Sequence, residues 1–156
     1  MVREISAGGV VVRMVDGRWE LAVIEPRREA KPAKSKTLLA LPKGIVDAGE
    51  KPAQTALREV KEEAGLEAEL VTKLGDIKYA YVRSWGDGER VFKIVSFYLL
   101  RYSGGEIGNI APAMQHEVAG AQWIPLEEAP RRLAYKGEKD MVRKALEYLA
   151  ANPVLS

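Results

Sequence analysis

The chain reads as an α/β protein in which helices cover both faces of a mixed β-sheet. Three observations predict this. Two strand-like runs joined by a turn come first, an amphipathic helix at Pro52–Ala64 interrupts the strand-forming pattern, and two helical stretches follow the last strand. The 156 residues suit one domain, residues 1–156, with enough chain to bury a core without disulfide or metal staples.

Ile5–Met14, with Gly8-Gly9 ahead of Val10-Val11-Val12, is the pattern of a largely buried strand. Asp16-Gly17 is a turn signal, and Trp19–Ile24 returns as a second strand to complete a hairpin. Glu25–Thr37 is polar and basic, carries Pro26 and Pro32, and reads as a loop. The apolar run Leu38–Leu41 leads into Pro42-Lys43-Gly44, where the chain is expected to turn. Pro52 suits the first helical turn. Ala53, Ala56, Leu57, Val60 and Ala64 make one apolar stripe, and Gly65 follows as a C-cap. Ala68–Val82 reads as a strand interrupted near Gly75, Gly86-Asp87-Gly88 as a hairpin turn, and Val91–Leu100 as its β-branched and aromatic partner. Val118–Ile124 is a shorter strand. Leu126–Leu133 and Lys139–Ala150 are the late helices, the second with Val142, Ala145, Leu146 and Leu149 on one face.

Composition narrows the function. Apolar residues are 47% and charged residues 29%, an ordinary globular balance. The absence of cysteine excludes thiol catalysis, disulfides and cysteine-based zinc sites, and fits a reducing compartment. Residues 1–6 lack a signal-peptide apolar run, and no stretch approaches the roughly 20 apolar residues of a membrane span. A cytoplasmic protein without membrane partners is expected. The net charge of +2 is too slight for a dedicated nucleic-acid binder. Arg27, Arg28, Lys31, Lys34 and Lys36 nevertheless crowd into one stretch, either a solvated loop or a positive rim that draws polyphosphate inward.

The chemistry concentrates in Arg58-Glu59-Val60-Lys61-Glu62-Glu63 on the predicted helix. Glu59, Glu62 and Glu63 stand at i, i+3 and i+4 and therefore share one face. Carboxylates so placed repel one another and gain no core burial. Arg58 reaches Glu62 at i+4, but Lys61 has only Leu57 and Gly65 at that spacing, which leaves Glu59 and Glu63 uncompensated. Hard divalent cations with oxygen ligands supply the missing charge, magnesium being the usual one where phosphates are the substrate.

Gly44, five residues, Glu50, seven residues, Arg58-Glu59, an aliphatic, one residue, Glu62-Glu63, one residue, Gly65 and Leu66 complete the pattern G-x5-E-x7-R-E-U-x-E-E-x-G-U. A chance match at average usage is on the order of one in a billion per window. The pattern is the Nudix box, and the chain resembles the Nudix hydrolases by motif over Gly44–Leu66 and by element order over nearly its whole length. The resemblance implies the Nudix fold, an α/β/α sandwich around a mixed sheet, and hydrolysis of a nucleoside diphosphate linked to another group. It implies metal binding by Glu59, Glu62, Glu63 and the backbone carbonyl of Lys43. It implies magnesium, with manganese able to substitute. One of these acids, Glu62 among them, or a glutamate elsewhere would be the general base. Glu50 and Arg58 would form the ion pair that steadies the catalytic loop, and Gly44 would permit a tight loop conformation.

Outside the box, Glu117 is a candidate further metal ligand or base, balanced against a plain surface acid, and His116 is given no role. Tyr79 and Tyr81 share a sheet face, one for stacking on a base and at least one for the core; Trp85 is a further aromatic there. Arg27, Lys43, Arg90 and Lys93 are candidate phosphate contacts, with Arg90 and Lys93 equally readable as solvated side chains. Leu41-Pro42-Lys43-Gly44 before the box and Lys78-Tyr79-Ala80-Tyr81 after it resemble the dinucleoside-polyphosphate and diphosphoinositol-polyphosphate branch, so a diadenosine polyphosphate is the favoured substrate. ADP-ribose or a nucleotide sugar, and damaged nucleoside triphosphates, are the alternatives, followed by a nucleotide-sensing domain without catalysis. The expected partner is a small nucleotide or polyphosphate, with a homodimer left open.

Overall fold

The structure, a computed structural model, describes residues 2–27, 37–84, 86 and 88–155. Its strands are β1 (Val2–Val15), β2 (Arg18–Pro26), β3 (Lys43–Ile45), β4 (Leu66–Val82), β5 (Arg90–Gly105) and β6 (Val118–Pro125). Its helices are α1 (Pro52–Ala64), α2 (Ala129–Arg132) and α3 (Lys136–Ala151). The strands form one mixed sheet in the order β4-β5-β1-β2-β6. β1 runs parallel to β5 along one edge, while its other edge is divided between β3, at Ser6–Gly8, and β2, at Val12–Val15. That division opens the sheet beside β3, and the candidate site lies there.

Alternation along β1 assigns the two faces. Val10 and Val12 join the cluster beneath α3, with Leu21, Val23, Phe97, Val142 and Ala145. Ala7 and Val11 join the cluster beneath α1, with Ala22, Leu100, Ala56, Val60 and Ala64. Helices thus cover both faces, as the sequence predicts. Val60 is fully buried, and truncating it to alanine would cost about 2 kcal/mol for the two lost methyl groups and the void they leave. α1 begins at Pro52 as expected and stops at Gly65, whose φ of 81° is the left-handed conformation that glycine adopts without strain.

Several expectations are corrected. Glu25 and Pro26 extend β2 instead of starting a loop, because β2 keeps pairing with β6 up to a register shift there. Pro42-Lys43-Gly44 does not turn the chain: Pro42 accepts a hydrogen bond from Gly9 N–H, and Lys43 and Gly44 pair with β1 as β3. β4 runs on past Gly75 with a shifted register. Leu126–Leu133 divides into a 3-10 turn at Leu126–Glu128 and the short α2, where Pro130 begins a new first turn. α3 starts three residues earlier than predicted. Among the described residues no helix is long and apolar enough to cross a membrane.

Candidate active site

α1 lays its acids along the edge that faces β3, and one arginine organises them. The Arg58 guanidinium donates to both oxygens of Glu50 (Nε 2.8 Å, Nη2 3.0 Å), to Glu59 Oε1 (2.9 Å), to Glu62 Oε2 (3.1 Å) and to the Ile45 carbonyl (3.1 Å). Glu50 also accepts from the Thr55 hydroxyl at 2.6 Å and from Asp47 N–H at 3.2 Å. These donors, Arg58 foremost, hold the Glu50 carboxyl down at about 2. The hydrogen bonds to Glu50 in turn hold Arg58 above its ordinary range. The expectation that Glu59 is uncompensated is thereby corrected, since a side chain one residue away on a helix reaches it when the fork is anchored on Glu50 and Ile45.

Glu59 and Glu63 point inward and are buried, at 5% and 6% exposure, so the expectation of a solvent-facing acid face is also corrected. The Glu59 carboxylate lies against the Gly44 Cα, where a Cβ would overlap it. Gly44 is required for this close approach and not for a loop conformation, because it sits in β3. Glu59 Oε2 is buried without a hydrogen-bond partner. Glu63 Oε1 accepts the Lys43 N–H at 2.8 Å. Burial pushes Glu63 up to about 8, with Glu59 and Glu117 adding repulsion; burial likewise raises Glu59 against the pull of Arg58. Among the described residues no three acidic or imidazole side chains close on one point by themselves. The donors present still suit a hard divalent cation: an orphaned carboxylate oxygen beside a second destabilised carboxylate is an arrangement that a cation relieves.

A family model for the NUDIX domain matches residues 3–145. The chain belongs to the Nudix hydrolase family. It is 39% identical over 150 residues to the Mycobacterium tuberculosis protein named MutT4, covering 95% of this chain and 56% of that protein's length. It is 30% identical over 114 residues to the asymmetrical bis(5'-nucleosyl)-tetraphosphatase of Mus musculus, with 72% of each chain covered. Among solved structures, an Ap4A hydrolase of C. elegans in a binary complex superposes with a TM-score of 0.67 at 26% identity, over 95% of this chain and 98% of that one.

Around this Nudix core the remaining predicted residues are distributed unevenly. A cleft of about 310 Å³ is lined by Lys43, Gly44, Glu63 and Glu117, with Ser6 and Lys93 also in its wall. Glu117 is half-exposed there, 3.5 Å from the His116 ring. Arg27 stands near it: its N–H donates to the Glu117 carbonyl (2.9 Å) and its Nε to the Gln115 carbonyl (2.6 Å). Glu62 lies on the outer side, in a groove with Leu57, Lys61 and Ile110. Lys93 pairs with Glu4 at 3.1 Å. Arg90 is exposed, does not line the cleft, and lies three residues along β5 from Lys93, about 10 Å of strand. The rest of the basic run, Arg28, Lys31, Lys34 and Lys36, and Trp85 lie outside the described residues.

The core role for Tyr79 or Tyr81 is corrected: Tyr79 is 44% exposed, Tyr81 is half-buried with its hydroxyl 3.4 Å from Glu4, and the rings are 6.2 Å apart. β4 is an edge strand of the sheet, and neither ring joins the buried clusters. Tyr79 instead lines a second cavity of about 480 Å³, over Ile77, Val95 and Phe97, with Tyr135, Lys43 and Glu138. Lys43 and Tyr135 line both cavities. Sequence reasoning missed Tyr135 and Glu138. A tyrosine and an acid at a helix start carry no local signal, and Glu138 meets Lys43 across 95 residues.

Proposed function

We propose that this protein is a magnesium-dependent pyrophosphohydrolase acting on dinucleoside polyphosphates. The observation that carries the reading is the pair of adjoining cavities. The one flanked by Tyr79 and Tyr135 has an apolar floor suited to a nucleobase, and it meets the acid cleft at Lys43. A base held against either ring would place its phosphates over Lys43 and along the cleft towards Glu63 and Glu117. The tetraphosphatase and Ap4A hydrolase relatives support this choice.

Glu59 and Glu63, with the Lys43 carbonyl and Glu62, are the proposed metal-holding set. Bound divalent ions supply neutralisation of phosphate charge and lower the pKa of water. Arg58, locked to Glu50, holds the orientations of Glu59 and Glu62. Lys43 meets phosphate with its ammonium, kept charged because Glu138 outweighs the burial that would lower it. Glu117, half-exposed across the cleft, is the proposed acceptor of the proton released when water attacks phosphorus in line. Arg27 lies at the rim, where it meets the outer phosphates. The protein is read as cytoplasmic and as one domain.

The test is product release from diadenosine tri- and tetraphosphate, nucleoside triphosphates including oxidised ones, ADP-ribose and nucleotide sugars, with and without magnesium or manganese. The expected result is metal-dependent cleavage with the highest kcat/KM on a dinucleoside polyphosphate. A tenfold preference for an oxidised triphosphate would move the assignment to nucleotide sanitation. Tight nucleotide binding without turnover under any divalent metal would make it a sensing domain.

A further inference from the structure

Ala40 and Lys43–Ile45 line the acid cleft, and what holds the segment 39–45 is not the sheet alone. On one side the segment is tied to the sheet: Ala40 exchanges both backbone hydrogen bonds with Ile24 (2.8 and 2.9 Å), Pro42 accepts from Gly9, and Lys43–Ile45 pair with β1. On the other side alternate residues are tied to the start of α3. The Leu39 carbonyl accepts the Ala134 N–H at 3.0 Å. Leu41 N–H donates to Glu138 Oε1 at 2.7 Å, and Lys43 Nζ donates to Glu138 Oε2 at 2.8 Å. Glu138 is 3% exposed and uses both oxygens for this purpose. It lies more than seventy residues beyond the Nudix box, and it is not among the groups proposed to hold metal or move a proton.

Lys43 carries the consequence into the cleft, because its backbone N–H is the donor to Glu63 while its ammonium is held by Glu138. A buried carboxylate with two charge-assisted or backbone bonds holds its partners far more tightly than a surface pair does. We propose that Glu138 is a positioning residue for the hydrolysis: from α3 it fixes Lys43, and through Lys43 the placement of β3 against Glu63. Removing it frees the Lys43 side chain at the junction of the two cavities and lets the Lys43–Glu63 contact loosen. This rests on the reading of the cleft as the hydrolytic site, so one of its tests does not depend on turnover.

Glu138→Gln is nearly isosteric and keeps an acceptor for Leu41 N–H, but it loses the anion that holds Lys43. Steady-state kinetics on the best substrate should show kcat lower by roughly 10- to 100-fold, the scale on which small misplacements act, with KM changed less than threefold. Lys43→Met leaves the Glu138–Leu41 bond in place and should lose kcat by at least as much. In the Lys43→Met background, adding Glu138→Gln should change kcat less than twofold, since no cation remains to be placed. Amide exchange on the metal-free protein supplies the independent readout: the Lys43 N–H should exchange at least tenfold faster in Glu138→Gln, while core amides of β1 such as Val11 keep their protection. Equal fold-losses from Glu138→Gln in both backgrounds would overturn the proposal in favour of a purely structural role. Unchanged exchange at Lys43 would overturn it even if no substrate were turned over, whereas a wild type that turns over no substrate, with faster Lys43 exchange still seen in Glu138→Gln, would overturn the substrate reading alone.

Discussion

Replacing Glu63 by glutamine tests the energetics of the acid cleft directly. Glu63 is 6% exposed and its carboxyl is pushed from 4.5 up to about 8 by burial and by its acidic neighbours. A carboxyl raised in the folded state keeps its proton while the unfolded chain gives it up. The metal-free protein therefore holds its full stability below about pH 4.5, loses it progressively up to about pH 8, and is flat beyond. At full strength that rise corresponds to about 5 kcal/mol, and relaxation of the cleft leaves roughly 2–4 kcal/mol. Glutamine cannot ionise, and its carbonyl still accepts the Lys43 N–H, so Glu63→Gln should escape the loss. Thermal melts in chelator at pH 4.5 and pH 8.5 are the assay. The variant should melt close to wild type at the lower pH and about 5–15 °C above it at the higher, at 2–4 °C per kcal/mol. Magnesium should narrow the gap by stabilising wild type, and the variant should lose most turnover. A melting difference that is the same at both pH values would refute the reasoning, because it would mean that Glu63 is already ionised in the folded cleft.

Three further outcomes follow from the same geometry. Gly44→Ala drives a methyl group into the Glu59 carboxylate and should cost about 1–3 kcal/mol by denaturant titration together with a large fall in kcat; a stable, fully active variant would contradict the close approach. Glu50 is held at about 2, so its contribution is present above about pH 4.5 and vanishes as pH falls towards 2. At the rim of the site, screening leaves about 1 kcal/mol of it, and Glu50→Gln should flatten the acid limb of a stability–pH curve by that amount. Tyr79→Ala and Tyr135→Ala should each raise KM for a dinucleoside polyphosphate by roughly 5- to 150-fold, the range for one lost base-stacking contact, with kcat within about threefold; a change confined to kcat would remove the base from that cavity.

How much of this was legible in the sequence depends on the range of each interaction. The bounds of α1 were, because Pro52 and Gly65 mark its ends and the apolar stripe sets its face within a few residues. The Glu59, Glu62 and Glu63 cluster was, because helical spacing alone brings it together. The burial of Glu59 and Glu63 was not, since it depends on β3 closing over them, and β3 is three residues long and is a strand only because β1 lends it half an edge. Nor was the role of Gly44, which looks in sequence like a loop glycine and in space is the gap that admits a carboxylate. Tyr79 and Tyr81 alternate as core residues do, and their place on the edge strand β4, outside both buried clusters, is set by the strand order of the whole sheet. Glu138 is the clearest case. Its helix was predicted to start at Lys139, one residue after it, so it fell outside the element altogether, and its partners Leu41 and Lys43 stand on a segment read as a turn. Local patterns fix which residues carry chemistry. The residues that hold them in register are found only where distant segments meet, and in this chain the residue that ties α3 to the cleft wall is a single buried acid.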